Sequence, residues 1–460
     1  IVGNGFCELW PPPCHGIAMT TLIPVKSPPT GPPHSPAVVP DDRPLHRNAD
    51  FVRLWGSQVA SAIGAGVSKL ATPLLVLALT GSPADAGLIA AAQTLPFLII
   101  GLLAGVIIDR NDRRRILIGC DVARLISVGS VPIAWWFGAL TIPQLYVVAL
   151  VQGASQAFAN LAQVSALPRV VTRAQITAAQ AFNQASNGVA TVLGPALGAT
   201  IIGLGATTPA GAAYGYSFDA MTYAFSMIAL VSVATRLQAP RATTGPDGST
   251  GLGRLRADIA EGLRYLWNDP DLQGMMAMNF VHRMLLGSLV LGAIVLAQST
   301  LKASTQEIGW VLTAGGGGSL VAAFVATRLR ARFAIWPLMI VVVFANAAGF
   351  AILAGAPHIF VAMAGMAVAT FCESLTGIVQ VAFRLAAIPD ALQGRVNSAY
   401  RWVAYTGMTV GAAGGGFMLD HLGPRSALAI AAGAMGGLGV AVLGLRVRRT
   451  RTHPPAIATG

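Results

Sequence analysis

Apolar stretches of roughly 20 or more residues recur along the whole chain, separated by short polar breaks. Each is long enough to cross a hydrocarbon layer of about 30 Å as a helix. The pattern predicts about twelve such helices, at 52–79, 85–108, 115–138, 142–165, 178–204, 213–235, 272–298, 307–327, 334–355, 358–383, 395–419 and 425–446. Nothing alternates with the period of a barrel strand, and lipid does not tolerate unpaired backbone. The expected fold class is an all-α integral membrane protein.

The breaks divide the chain. Residues 1–50 are Pro-rich and aperiodic, without the basic start, apolar core and cleavage site of a signal peptide. They are expected to form a disordered tail, with Met19 as a start and 1–18 as upstream sequence. Residues 51–236 and 271–446 form two six-helix sets. Between them, 237–270 begin as a flexible linker, APRATTGPDGST. They continue as an amphipathic segment, with Leu252, Leu255, Ile259, Leu263 and Leu266 opposed by Arg254, Asp258, Glu261 and Arg264. That spacing predicts a helix lying on the membrane surface. Residues 447–460 are a basic tail. The sets echo each other at an offset of roughly 215–220. Asp109-Arg110 falls opposite Thr327-Arg328, Asn183 opposite Asn397, and Gly194-x-x-x-Gly198 opposite Gly407-x-x-x-Gly411.

Composition agrees: 54% of the 460 residues are hydrophobic and 10% charged, against about 25% charged in soluble proteins. The net charge of +12 comes from arginines in alternate loops. Arg110, Arg113, Arg114 and Arg115 follow helix 2, Arg169 and Arg173 helix 4, and Arg236, Arg241, Arg254 and Arg256 helix 6. Arg328, Arg330 and Arg332 follow helix 8, Arg384 and Arg395 helix 10, and Arg446, Arg448, Arg449 and Arg451 helix 12. The intervening loops TGSPADAG, GALTIP, GLGATTPAGAAYG and AGAPH carry no basic residue, and only Lys302 and Arg425 break the pattern. Both termini are therefore expected in the cytoplasm. The charge is a topology signal and not a nucleic-acid surface.

Catalytic and cofactor chemistry finds no support. Cys7 and Cys14 lie in the tail and Cys120 and Cys372 in membrane segments, which is no disulfide framework. Cys7, Cys14 and His15 make a lone tail cluster, and no metal site is expected. Gly315–Gly318 precede no Gly-Lys-Ser/Thr, so no nucleotide loop is present. No catalytic constellation appears, and the chain is read as a non-enzyme without cofactor.

Ionisable groups inside lipid cost at least about 2.5–3.5 kcal/mol to insert and are functional candidates. Lys69 falls in the outer half of helix 1, Asp219 near the outer end of helix 6, and His282 and Arg283 near the middle of helix 7. Glu373 falls near the middle of helix 10. His282 and Arg283 point about 100° apart, so one of them faces any cavity. Asp121 and Arg124, three apart on helix 3, are expected to neutralise each other. Glu373 is the first proton-coupling candidate and Asp219 the second. Lys69, Asn279, His282 and Arg283 are the candidates for substrate contact. Both signs of charge are present, so charge does not choose between an anionic and a cationic substrate.

Three motifs carry a resemblance. Gly105 to Arg115 reads G-V-I-I-D-R-N-D-R-R-R, similar to the helix 2–3 loop motif of the major facilitator superfamily, G-x-x-x-D-R-x-G-R-[RK], with Asp112 in place of the second Gly. Helix 5 holds Gly188 and then Gly194-Pro195-Ala196-Leu197-Gly198, which resembles the antiporter motif of exporters in that superfamily, with Ala199 for a final Gly. Helix 4 reads LYVVALVQGASQAF, with Gln152 where proton-coupled members carry an Arg. LTGSPADAGLIAAAQTLPFLIIGLLAGVIIDR, LGPALG and IPDALQGRVNSAYRWV resemble the bacterial branch that includes macrolide efflux proteins and the enterobactin exporter.

The resemblance implies two pseudo-symmetric six-helix bundles with a central cavity lined by helices 1, 4, 7 and 10. It implies that Asp109, with Gly105, Arg110, Arg113 and Arg114, gates against helix 11. The implied function is efflux of a drug-like or siderophore-like amphipathic molecule across the bacterial inner membrane, by alternating access and proton antiport. The expected partners are the lipid bilayer and a small molecule, around a monomer. Uptake by symport or facilitated diffusion is the alternative, and a non-transporting sensor or scaffold the second. A scaffold has no need of Lys69, Asn279 and Glu373 inside the bilayer.

Overall fold

The computed structural model describes residues 43–235, 237, 260, 261, 264, 266, 267 and 269–452. Side chains at 101–106, 109, 110, 173, 270, 271, 386, 390, 391, 395 and 445–452 are outside that description. The expected tail up to 42, most of the linker and its amphipathic segment, and 453–460 lie outside the described residues.

Twelve long α-helices run through the described residues. They are α1 (Ala49–Thr80), α2 (Pro83–Arg110), α3 (Arg113–Trp136), α4 (Ile142–Val170), α5 (Ile176–Gly203), α6 (Thr208–Val231), α7 (Pro270–Val295), α8 (Thr305–Arg332), α9 (Ile335–Ala354), α10 (Ile359–Ala387), α11 (Asp390–Leu422) and α12 (Pro424–Thr452). The chain is an all-α protein, and ten of these helices are long and apolar enough to span a membrane. The two that fall short in apolarity are α6 and α11. Both bury part of their length against other helices, where polar side chains find partners.

Local signals explain most boundaries. The Asn48 side chain accepts from Phe51 N at 3.0 Å and starts α1, and Gly81 ends it in the left-handed region, φ 70°. Ser304 and Glu307 form a reciprocal capping box on α8. Asp112 departs from the loop motif because it caps α3, accepting from Arg114 N at 2.9 Å. Several boundaries differ from expectation. Residues 43–50 are ordered: Leu45 is buried, and Asn48 Nδ2 donates to Val170 O at 2.9 Å. Helix α6 starts five residues early, because the Thr207 side chain accepts from Ala210 N and Pro209 suits a first turn. At the other end of the chain, α12 continues to Thr452, into the expected basic tail.

Packing repeats with an interval of six helices. Helix α1 packs on α5 and α6, and α7 packs on α11 and α12. Helix α4 bridges α2 and α3, as α10 bridges α8 and α9. The sequence echo has a packing basis. Gly194 meets Gly66 on α1 and Gly198 meets Val67, whereas Gly407 and Gly411 meet Phe280 and Met284 on α7. Absent side chains let these backbones touch. The two sets meet along two seams, α2 with α11 and α5 with α8.

Both seams close toward the arginine-poor end. A β-carbon on Gly87 would fall 2.7 Å from Gly416 Cα, and one on Gly316 would fall 2.9 Å from Val192 Cα. Thr94 and Thr409 hydroxyls lie 2.8 Å apart. The α2–α11 seam continues to mid-helix, where Phe97 and Tyr405 stack with centroids 4.4 Å apart on the arginine-rich side of these contacts. Toward the arginine-rich end the first part of α5 is held to α1 by Phe182 against Phe51 and Trp55 and by Trp55 Nε1 donating to Ser186 Oγ at 2.8 Å, but much of it stays exposed. Ala181, Phe182, Gln184, Ala185 and Asn187 are all exposed, although they point in nearly every direction around the helix.

Candidate functional site

A cavity of about 580 Å³ lies between the two sets, behind the closed seams. Its wall is mostly apolar, with Ile89, Leu145, Val148, Leu312 and Met366 among its residues. Among the described residues three charged side chains line it: Lys69 from α1, Arg283 from α7 and Glu373 from α10. Lys69 and Arg283 sit on helices seated by glycine contacts. Gly66, one turn before Lys69, rests on Gly194, and Gly287, one turn after Arg283, rests on Met408 and Ala412 of α11.

Arg283 Nη1 donates to Glu373 Oε1 at 2.7 Å. Glu373, the first proton-coupling candidate, is thus held in an ion pair that joins α7 to α10 across 90 residues of sequence. Lys69 is exposed, and the surface it exposes belongs to the cavity. Other polar groups on the wall satisfy each other. Gln93 Nε2 donates to Gln152 Oε1 at 3.0 Å, and Tyr216 and Thr72 hydroxyls lie 2.8 Å apart. Gln152 thus bonds α4 to α2.

Not every candidate reaches the cavity. Asn279 and His282 are 5% exposed and stay off its wall. Helix α7 turns Arg283, Leu286, Gly287 and Val290 inward, so His282, about 100° away, faces protein, and Asn279 lies one turn nearer the arginine-rich end. Asp219 is neither shallow nor near a helix end. The early start of α6 puts it at mid-helix, with no exposure. Ser68 Oγ donates to Asp219 Oδ2, and Thr222 Oγ1 donates to its backbone carbonyl at 2.7 Å. One turn away, Tyr216 does line the cavity.

Behind that wall Asp121 and Arg124 are 5% and 3% exposed and lie 3.9 Å apart. Ser226 Oγ donates to Asp121 Oδ2 at 2.5 Å, and the Arg124 guanidinium sits 5.3 Å from the Tyr223 ring centroid. These contacts join α3 to α6. A comparable group in the other set was not anticipated from sequence: Arg384 lies 3.6 Å over the Tyr400 ring, and Tyr400 OH donates to Gln380 Oε1. Its signal was the spacing of Glu373, Gln380 and Arg384 along one face of α10.

The loop motif divides. Helix α2 runs through Gly105, Asp109 and Arg110, but the side chains of Asp109 and Arg110 lie outside the described residues. Arg113 Nη1 donates to Ser165 O at 2.7 Å, and Arg114 Nε donates to Leu230 O at 3.0 Å. These two arginines therefore tie the start of α3 to the last turns of α4 and α6, where a cation is favoured. In helix 5, Gly188 meets Leu320 on α8, Gly194 and Gly198 meet α1, and Pro195 lines the cavity. The cysteines described, Cys120 and Cys372, are free and buried.

Comparison with known proteins agrees with this architecture. The family description "transmembrane secretion effector" matches residues 43–456. The multidrug efflux pump Tap of Mycobacterium tuberculosis is 31% identical over 291 residues, 61% of this chain. The matched stretch spans 65% of that relative's length. Tap of Mycolicibacterium fortuitum is 27% identical over 379 residues, covering 80% of this chain and 89% of its own. A bacterial homologue of the iron transporter ferroportin, solved in an inward-facing state, superposes with a TM-score of 0.70 at 12% identity, over 87% of this chain and 99% of its own. Match over nearly the whole described length, the all-helical fold and the paired seams lead to one assignment: the chain belongs to the transmembrane secretion effector family of major facilitator transporters, a family of multi-span membrane proteins and not of enzymes.

Proposed function

We propose that the protein exports amphipathic small molecules across the bacterial inner membrane by alternating access. The observation that carries this reading is the cavity of about 580 Å³ between the two sets, with close glycine contacts of the α2–α11 and α5–α8 seams toward its arginine-poor end. The arginine loops support a cytoplasmic position for the other end and for both termini. In this reading the cavity loads from the cytoplasmic side. The printed names of the mycobacterial relatives, multidrug efflux pumps, favour export over uptake.

Proton antiport is the energy source we assign, with no cofactor. Glu373 carries the proton in this reading, since its ion pair with Arg283 spans α7 and α10. Protonation dissolves that pair and frees the two helices to shift, and deprotonation restores it. Asp219 is the second candidate, one turn behind Tyr216. The protein acts as a monomer, with lipid and substrate as its partners.

Everted membrane vesicles test both layers. Vesicles with the protein are expected to accumulate a drug when acidified inside, and vesicles without it are not. Glu373→Gln is expected to abolish the proton-driven component while leaving substrate counterflow at zero gradient. Equal accumulation with and without the protein, over a panel of drugs, would remove the export reading. Full proton-driven transport by both Glu373→Gln and Asp219→Asn would remove the antiport assignment.

A further inference from the structure

Resting on the export reading, the charge arrangement of the cavity narrows its substrate. Of the three charged groups on the wall, Arg283 and Glu373 are joined at 2.7 Å. Each therefore offers a ligand only what the other leaves. Lys69 has no hydrogen bond and no ion pair within 4 Å among the described residues, it lies within the electrostatic reach of Glu373, and it is exposed into the cavity. Nearby polar groups are engaged elsewhere: Gln93 with Gln152, Tyr216 with Thr72, Thr94 with Thr409. The cavity thus holds one net positive charge, placed on one side chain, among walls of Ile89, Leu145, Val148, Leu312 and Met366.

We infer that the cavity selects amphipathic organic anions, and that Lys69 binds their acidic group. An ammonium in an apolar enclosure lacks the solvation it has in water, so a counter-ion is favoured there. A carboxylate, sulfonate or phenolate supplies the charge and accepts the hydrogen bonds that an ammonium donates. The apolar body of the same molecule then covers the aliphatic wall. A cationic amphiphile faces the opposite balance. It meets the charge of Lys69, and the acidic group that would attract it is held by Arg283 at 2.7 Å and already faces Lys69.

The test uses the full-length protein in nanodiscs and three probes. They are 8-anilinonaphthalene-1-sulfonate, its neutral analogue N-phenyl-1-naphthylamine, and the cation ethidium. Binding is measured by titration calorimetry with empty nanodiscs subtracted, and outward transport in everted vesicles. The sulfonate is expected to bind at least about tenfold more tightly than either comparison probe, the scale of a charge-assisted hydrogen bond. Lys69→Gln is expected to erase that preference, and Lys69→Arg to keep it within about threefold. Thermal unfolding of both variants guards against misfolding, and an unfolded Lys69→Gln leaves the wild-type preference between probes as the deciding result.

Equal or tighter binding of ethidium by the wild type overturns the inference, as does sulfonate binding unchanged in a folded Lys69→Gln. The two readings fail separately. Ethidium moved outward without the sulfonate leaves export standing and removes the anion site. Lys69-dependent binding of the sulfonate without outward movement leaves the anion site and removes export. A wild type that neither binds nor moves the sulfonate overturns the anion site.

Discussion

Gly66 on α1 and Gly194 on α5 touch backbone to backbone: a β-carbon built on Gly66 would fall 2.8 Å from Gly194 Cα. This contact sets the rotation of α1, and with it the direction of Lys69 three residues later.

Gly194→Ala is therefore expected to lower stability by about 1–3 kcal/mol through overpacking. The purified variant in detergent should unfold several degrees below the wild type. Gly119→Ala, where nothing lies within 4 Å of the new methyl, is the control. It should be neutral or slightly stabilising, as alanine is favoured over glycine inside a helix.

Asp121 and Arg124 form a buried pair, and removing one member strands the other. Asp121→Asn is expected to cost about 3–5 kcal/mol, with poor recovery of folded protein. Asp121→Asn combined with Arg124→Gln should regain part of that loss. Measured melting temperatures of the single and double variants check the coupling.

The seam between α2 and α11 must part if the cavity is to open toward the arginine-poor end. Thr94 and Thr409 mark it, with hydroxyls 2.8 Å apart. Cysteines at both positions, in a background with the native cysteines replaced by alanine, should form a disulfide under mild oxidation. Transport is expected to fall to the level of empty vesicles and to return on reduction. Unimpaired transport by the oxidised protein would show that this seam does not move.

Orientation has its own check. Cysteine at Ala206, an exposed position in the loop between α5 and α6, should react with an impermeant maleimide added to intact cells. Cysteine at Ala331, exposed at the end of α8, should react only after the membrane is opened. The reverse labelling would invert the topology.

The helices were legible because apolar runs of this length have one use. Rotation and pairing were not. Which of His282 and Arg283 faces the cavity depends on the seat of Gly287 against α11. The Arg283–Glu373 bond joins positions 90 apart, which no local spacing announces. Asp219 was misplaced because Gly205 and Gly211 read as loop, whereas they let α5 and α6 cross closely and the cap lies at Thr207. Arg425, an exception to the arginine pattern, is explained by position: Arg425 Nη2 donates to Ala356 O at 3.1 Å, holding the loop between α9 and α10.

The departure in the helix 5 motif also has a counterpart across the seam. Ala199 stands where a glycine was expected, and the space its methyl fills is left by Gly309 on α8, whose own β-carbon would collide with it. The crossing has room for a single methyl group, owned by either helix but not by both. Helices 5 and 8 must then change together. A glycine at 199 licenses an alanine at 309, and the motif is a property of a pair of helices that no single segment displays.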